Sequence, residues 1–296
     1  MVKQIFIISL LILISKNSSA QELYINSPAA ANISKGRMEL RNTVESFRNF
    51  NYFYNSIEVN YGVTGNLSMY NKVDYTFNEG YKFVGSYEQA FRYRFWDIDK
   101  KHQHIRFALQ SGFRMPFDPV SVSGDNIEYE LHPGHVVQFL SGADNLTVPL
   151  IDFYATDNFT FKNSLIATGL FDRFSLTAET GYNFNFPKEH FRFGNYWNWG
   201  LSAGYLLLPT QYDSYNDVNL NLYFENKAYF FEKNSYHGNK LRYSGGFRYV
   251  AGFGVQTIFF SSLLLEAMYV IPVHSNEYIK DDTRSLLLSV RYQFFL

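Results

Sequence analysis

The chain has 296 residues, a formal net charge of −1 and no cysteine. The near-neutral charge gives no footprint for a nucleic-acid partner, and the lack of cysteine excludes disulfides, thiol chemistry and lipoprotein anchoring. Aromatic residues make up 19% of the chain, with 24 Tyr and 30 Phe. A soluble secreted protein seldom needs so many, whereas a membrane barrel uses them in aromatic girdles at its two interfaces.

Residues 1–20 have the features of a secretory signal peptide. Lys3 gives a positive start, Ile5 to Ile14 form an apolar stretch, and the small residues before Gln21 supply a cleavage site. No later stretch approaches the roughly 18–20 uninterrupted apolar residues of a transmembrane helix. We therefore expect an exported chain that begins at Gln21.

Residues 21–34 are polar, rich in small residues and without periodicity. We interpret them as a short periplasmic lead-in, which is too short to be the plug domain of an energy-coupled transporter.

From residue 35 onward the chain alternates between apolar and polar residues, which predicts strands with one apolar and one polar face. In the last segment Leu286, Leu288 and Val290 share one face, and Ser289 and Arg291 share the other. A soluble sandwich strand also alternates, but repetition in segments of about ten residues is typical of membrane barrels. The predicted strands lie at 37–45, 57–63, 67–75, 81–95, 104–114, 161–170, 174–184, 193–205, 218–225, 242–255, 262–271 and 284–296.

These segments predict an all-β fold, a transmembrane antiparallel β-barrel of about twelve strands formed by residues 35–296. An even number is what single-chain bacterial barrels have. If both termini face the periplasm, the longest connection, at 116–159, is an external loop. Short periplasmic turns and longer external loops are typical of such barrels. The strand at 161–170 is the least clear, because its two faces are nearly equally apolar.

The runs KGRMELR at 35–41 and LLPTQY at 207–212, the latter leading into VNLNL at 218–222, resemble the transporter-type, porin-like outer-membrane β-barrels of the Bacteroidetes. This resemblance covers nearly the whole mature chain and implies the cell outer membrane as location, with lipid around the barrel. It implies no catalytic residues. The C-terminal strand also resembles the one that the barrel-assembly machinery recognises, except that Leu296 follows the aromatic Phe294 and Phe295.

The inward faces of the predicted strands carry charges of both signs, which would line a hydrated pore that sorts solutes, or pair into a lattice that fills the lumen. The pore-lining candidates are Arg37, Glu39, Arg41, Glu58, Glu88, Arg92, Arg94, Arg106, Glu179, Glu225, Arg242, Arg248, Glu266 and Arg291.

The long loop contains acidic residues and neither lysine nor arginine. A loop of this length is often functional, and this one could fold inward as a constriction. The constriction candidates are Asp118, Asp125, Glu128 and Glu130.

Four histidines raise the question of a metal site. His102 falls at a predicted turn, His104 begins the next predicted strand, and His132 and His135 flank Pro133-Gly134 in the loop. Without cysteine or supporting ligands, we predict no metal and no cofactor.

The function predicted from these features is a passive channel or transporter component for small solutes. The alternatives are a structural or surface-binding barrel without a pore and an outer-membrane lipid hydrolase. A hydrolase would need Ser, His and an acid together at the outer rim.

Overall fold

The computed structural model describes residues 24–296 except 48–51, 79–80, 118–125, 131–135, 141–158, 188–190, 211, 213, 215, 241–243 and 276–283. Within this part of the chain the strands are β1 (Arg37–Phe47), β2 (Tyr52–Gly62), β3 (Leu67–Asn78), β4 (Tyr81–Lys100), β5 (Gln103–Pro116), β6 (Asn126–Glu130), β7 (Val136–Leu140), β8 (Thr160–Phe171), β9 (Phe174–Asn185), β10 (Phe191–Arg192), β11 (Tyr196–Leu208), β12 (Asn219–Phe231), β13 (Ser235–Tyr236), β14 (Asn239–Lys240), β15 (Gly246–Phe259), β16 (Leu263–Ser275) and β17 (Ser285–Phe295).

The twelve long strands form one closed antiparallel barrel, which confirms the predicted fold. Their order around the barrel is β1-β17-β16-β15-β12-β11-β9-β8-β5-β4-β3-β2. The barrel closes where β1 pairs with β17, with Arg37 opposite Phe295. Closure leaves the long strands without an unpaired edge, which is what a sheet needs to stand in lipid.

Two short sheets stand apart from the barrel. β6 pairs with β7 inside the long connection at 116–159, and β10, β13 and β14 form a three-stranded sheet. The sequence pattern did not predict the β6–β7 hairpin, because each of its strands spans only five residues.

The two faces of the barrel differ as the alternation predicts. On β11, Leu201 is 51% exposed while its neighbour Ser202 is 1% exposed. On β17, Leu288 is 48% exposed and Ser289 is 4% exposed. An exterior that displays leucine, phenylalanine and tryptophan belongs in hydrocarbon rather than in water. No helix within the described residues is long and apolar enough to cross a membrane.

The two ends of the barrel carry different connections. We call the end with the links 63–66, 101–102, 172–173, 209–218 and 260–262 the turn end, and the opposite end the loop end. Both Arg37 of β1 and Leu296 lie at the turn end, where Leu296 donates its N–H to Gly36 O. The connection that contains β6 and β7 leaves from the loop end, as the strand count predicts.

The described residues that precede β1 lie inside the barrel. We call Tyr24–Ser34 the N-terminal segment. Its apolar side chains contact apolar residues of the inward wall in two clusters. One contains Tyr24, Ile25, Ala29, Tyr223, Val250, Met268, Val270 and Leu287. The other contains Ala30, Ala108 and Ile166.

The second cluster explains the strand that was hardest to read. β8 has an apolar residue on both faces because Leu165 faces outward, at 44% exposed, while Ile166 is fully buried beneath Ala30. Several strand boundaries also differ from the prediction; β2, for example, begins at Tyr52 instead of residue 57, and β15 spans Gly246–Phe259 instead of 242–255. β11 begins at Tyr196, so Phe193 lies before it and is buried instead of facing lipid. β12 continues past Glu225 to Phe231.

Candidate functional site

The barrel encloses a cavity of about 830 Å³. Inward side chains of β1 to β5, β8, β9, β11, β12 and β17 line it, and the N-terminal segment lines one side of it. The cavity reaches the turn end at Gly65 and Ser261 and extends along the wall to Asn183 and Tyr229. It therefore runs past the N-terminal segment rather than ending against it.

Side chains of the wall satisfy the backbone of the N-terminal segment in place of a neighbouring strand. The Glu225 carboxylate accepts the N–H of Ile25 at 2.9 Å and that of Asn26 at 3.1 and 3.2 Å. Further along the segment, Ala30 donates to Thr168 Oγ1 at 2.8 Å. Buried backbone groups are costly when unpaired, so these contacts hold the segment in place.

Cationic side chains bind the carbonyl groups of the same segment. Arg41 donates to Ile25 O, and Arg291 donates to Tyr24 O at 3.3 Å. The Lys227 ammonium lies 2.5 Å from Asn26 O. Together with the acceptors above, these contacts bind the segment through its backbone.

Two glycines let the segment approach the wall closely. A Cβ at Gly62 would lie 2.0 Å from the carbonyl oxygen of Ser34, which is backbone and has little freedom to move. A Cβ at Gly254 would lie 2.5 Å from Cδ1 of Ile25. Glycine at these positions removes an atom where another part of the chain must pass.

Beneath the segment, arginines and glutamates form a shared network. Glu266 accepts from Arg41 at 3.0 Å and from Arg291 at 3.0 Å. Arg41 is also 3.6 Å from Glu58, and Arg291 is 3.7 Å from Glu39. Each charge buried here has an opposite charge beside it, which is the condition for keeping it away from water.

Elsewhere along the wall the charges form separate pairs. Lys162 lies 2.8 and 2.9 Å from the two oxygens of Glu88. Lys72 lies 3.0 Å from Asp74. Lys72, Glu88 and Lys162 are partly exposed, so water weakens these pairs, whereas Asp74 is buried.

Near the turn end the charges are the most exposed. Arg94 lies 3.1 Å from Asp97, and Arg106 lies 3.5 Å from Asp99. Arg37 of β1 donates to Ser261 O at 3.0 Å. Arg92 is deeper, where it donates to Gln110 Oε1 at 2.9 and 2.7 Å and to Ala31 O at 3.2 Å.

The structure places the predicted pore-lining residues as follows. Those that line the cavity are Arg37, Glu39, Arg41, Glu58, Glu88, Arg92, Arg94, Arg106, Glu179 and Arg291. Glu225 and Glu266 face inward but are covered, at 3% and 4% exposed. Arg248 pairs in register with the cavity-lining Tyr229 and so shares its inward face. Arg242 lies outside the described residues.

The loop candidates cannot be compared with this cavity. Asp118 and Asp125 lie outside the described residues, as do the side chains of Glu128 and Glu130 on β6. Their role as a constriction stays a prediction, as does conduction through the residues that line the cavity.

Two lysines of the cavity were not predicted from the sequence, and neither was the position of the N-terminal segment inside the barrel. Lys162 was hidden by the ambiguous faces of β8, and Lys227 lies beyond the predicted end of its strand. The signal for Lys227 was available, because it continues the inward series that includes Tyr223 and Glu225. Apolar residues at inward positions, such as Leu287 and Met268, were the signal for something that covers them.

The described histidines near the turn end pair with acids. His102 Nδ1 lies 2.7 Å from Asp172, and His104 Nδ1 lies 2.7 Å from Asp99. Within the described residues no group of three or more His, Cys, Asp or Glu side chains could hold a metal ion. His132 and His135 lie outside those residues.

The arrangement described so far is that of a porin-like outer-membrane barrel: an apolar exterior, a closed antiparallel wall and a charged interior. No protein-family model matches the chain, and no curated protein matches it. Solved structures do match its fold. An outer-membrane channel from Pseudomonas putida F1 superimposes with a TM-score of 0.63 at 7% identity, covering 92% of this chain and 100% of that one. The NanC porin gives a TM-score of 0.50 at 9% identity, covering 86% and 98%.

Proposed function

We propose that this protein is a passive outer-membrane channel for small solutes, with its turn end in the periplasm. The observation that carries the proposal is a charged cavity of about 830 Å³ inside a barrel whose exterior is apolar. A lumen filled only for stability would need no continuous space beside the N-terminal segment. Twelve strands enclose a lumen between those of packed eight-stranded barrels and open sixteen-stranded porins.

The N-terminal segment forms part of the wall of this channel. It is anchored by Glu225, Thr168 and Arg92 on three different strands, and it packs in two apolar clusters. A peptide bound through so many contacts narrows the lumen on one side and leaves the passage on the other. The segment is thus a fixed constriction in our proposal.

The membership in the Bacteroidetes barrel family is a further part of the proposal, and it rests on the runs at 35–41 and 207–222. We also propose recognition of β17 by the barrel-assembly machinery and contact of the exterior with outer-membrane lipid. The protein is not an enzyme in this proposal. The pairs His102–Asp172 and His104–Asp99 lie at the turn end, whereas a barrel lipid hydrolase would need them at the outer rim.

One observation favours a second function, that of a barrel without a pore. The N-terminal segment packs against the buried residues Tyr223, Val250 and Met268, so that side of the lumen is filled. In this reading the remaining cavity holds water and no solute passes. The protein would then be a structural or surface-binding barrel.

Planar-bilayer recording of the refolded protein separates the two functions. The channel proposal predicts stepwise currents from the wild-type chain, and larger steps from a variant that lacks residues 24–33. Folding of both proteins is checked by the change of gel mobility on boiling. Folded wild-type protein without current would contradict the channel, and current from the deletion variant alone would identify a barrel that the segment closes.

A further inference from the structure

Charged residues of alternating sign follow one another around the inner wall. Arg41 of β1 is directly opposite Glu58 of β2, and Glu58 is directly opposite Lys72 of β3. Lys72 is in turn directly opposite Glu88 of β4. Side chains directly opposite on neighbouring strands share a face, so these four point into the same cavity.

The alternation continues on the far side of β5. Lys162 of β8 bridges to Glu88 across Gly112 of β5. Glu179 of β9 is opposite Gly200 of β11, which is opposite Lys227 of β12. We call Arg41, Glu58, Lys72, Glu88, Lys162, Glu179 and Lys227 the charge belt; all seven line the cavity.

Within the charge belt, Glu179 differs from the other carboxylates. Glu58 and Glu88 each lie beside a cation, at 3.6 and 2.8 Å. Among the side chains that the structure describes, none forms an ion pair or hydrogen bond with the Glu179 carboxylate. The neighbouring strand offers only Gly200 there, whose added Cβ would be 3.6 Å from Glu179 Oε2. The carboxylate is therefore open to a solute in the cavity.

The cation that faces Glu179 is already held by the protein. The Lys227 ammonium is bonded to Asn26 O of the N-terminal segment, and Gly200 of β11 separates Lys227 from Glu179. Lys227 is thus fixed across Gly200 from Glu179, and the two charges do not neutralise each other by contact. Lys227 and Glu179 therefore present one positive and one negative charge to the cavity without contacting each other.

We propose that the charge belt binds and selects zwitterionic solutes, with the solute ammonium at Glu179 and the solute carboxylate at Lys227 or Lys162. The inference rests on the proposed channel function and names its substrate class. A simple ion gains little from a belt whose charges alternate, because attraction and repulsion nearly cancel. A solute that carries both charges gains from both, since it aligns its dipole with the belt.

Liposome swelling tests this with two isomers, zwitterionic alanine and uncharged lactamide. Liposomes that contain the wild-type protein should admit alanine about threefold faster than lactamide, after subtraction of protein-free liposomes, because a partly hydrated ion pair contributes up to about 1 kcal/mol. Glu179→Gln should bring the ratio close to one, since it removes the charge and keeps the shape. Glu179→Asp should retain most of the preference.

Asp172→Asn is the matched control, because it removes an acid at an exposed turn outside the cavity. It should leave the alanine-to-lactamide ratio as in the wild type. Equal entry of the isomers into wild-type liposomes, or a preference that survives Glu179→Gln, would overturn the zwitterion assignment and leave the channel standing. Entry of neither isomer would contradict the channel itself and the assignment with it.

Discussion

The inward-facing residues of the barrel wall have two different environments. Along β15, β16 and part of β12, inward residues such as Val250, Met268 and Tyr223 are covered by the N-terminal segment and buried. On the side of β2, β3 and β4, inward residues are charged and line the cavity. The same wall therefore has a part that behaves as a protein core and a part that behaves as a wet surface.

The comparison teaches that inward position alone does not define a pore. Glu225 and Glu179 both face inward, yet Glu225 is covered and serves as an anchor, while Glu179 is open to the cavity. In the covered part a lost contact leaves buried groups without partners. In the open part water replaces a lost contact, so changes there should affect solutes more than stability.

The largest expected effects come from arginine substitutions on β11, compared at three positions of which Asn198 is the low-cost control. Leu201→Arg places a charge in lipid and should cost about 2–4 kcal/mol of barrel stability near the midplane. Asn198→Arg points into the cavity and should cost much less. The measurement is the free energy of unfolding in urea from lipid vesicles.

Ser202, the third position, is an exception to the expectation that inward-facing residues tolerate arginine. The alternation predicts a small cost for arginine at Ser202, Asn221 and Ser289, because all three face inward. Ser202 is instead 1% exposed and bonded to Ser27 Oγ at 2.7 Å, beneath the N-terminal segment. Ser202→Arg should therefore destabilise the barrel far more than Asn198→Arg. Equal costs at these two positions would show that the segment does not cover β11.

A smaller effect is expected from an added methyl group at Gly62. Gly62→Ala should cost about 1–3 kcal/mol of unfolding free energy, the range for overpacking, because the new Cβ collides with Ser34 O. Gly65→Ala is the control, since nothing lies within 4 Å of a Cβ there. If both substitutions leave stability unchanged, the segment does not pass over Gly62.

The next comparison makes the same change in both parts of the wall. Glu225→Ala leaves the N–H groups of Ile25 and Asn26 without their acceptor and should cost about 1–2 kcal/mol. Glu179→Ala removes a carboxylate that bonds no other described side chain and should change the unfolding free energy little. Similar losses for the two variants would contradict the division of the lumen into a covered and an open part.

The sequence predicted the barrel well because lipid imposes a period of two on every strand. It predicted the strand number and the end at which the long loop leaves. It did not predict the N-terminal segment, since a peptide held by Glu225, Thr168 and Ser68 through its backbone needs no pattern of its own. The inward charges were found, but which are covered depends on that segment.

The most direct test uses the absence of cysteine from the natural chain. Ser27 Oγ and Ser202 Oγ lie 2.7 Å apart, so the double variant Ser27→Cys, Ser202→Cys can form a disulfide that locks the segment to β11. Single-channel conductance is recorded after oxidation and again after reduction, with each single variant as control and thiol labelling to confirm the bond. A fixed constriction beside an open passage predicts wild-type current in both states. Current that vanishes on oxidation and returns on reduction would show a moving gate, and a silent, folded protein in both states would contradict the channel.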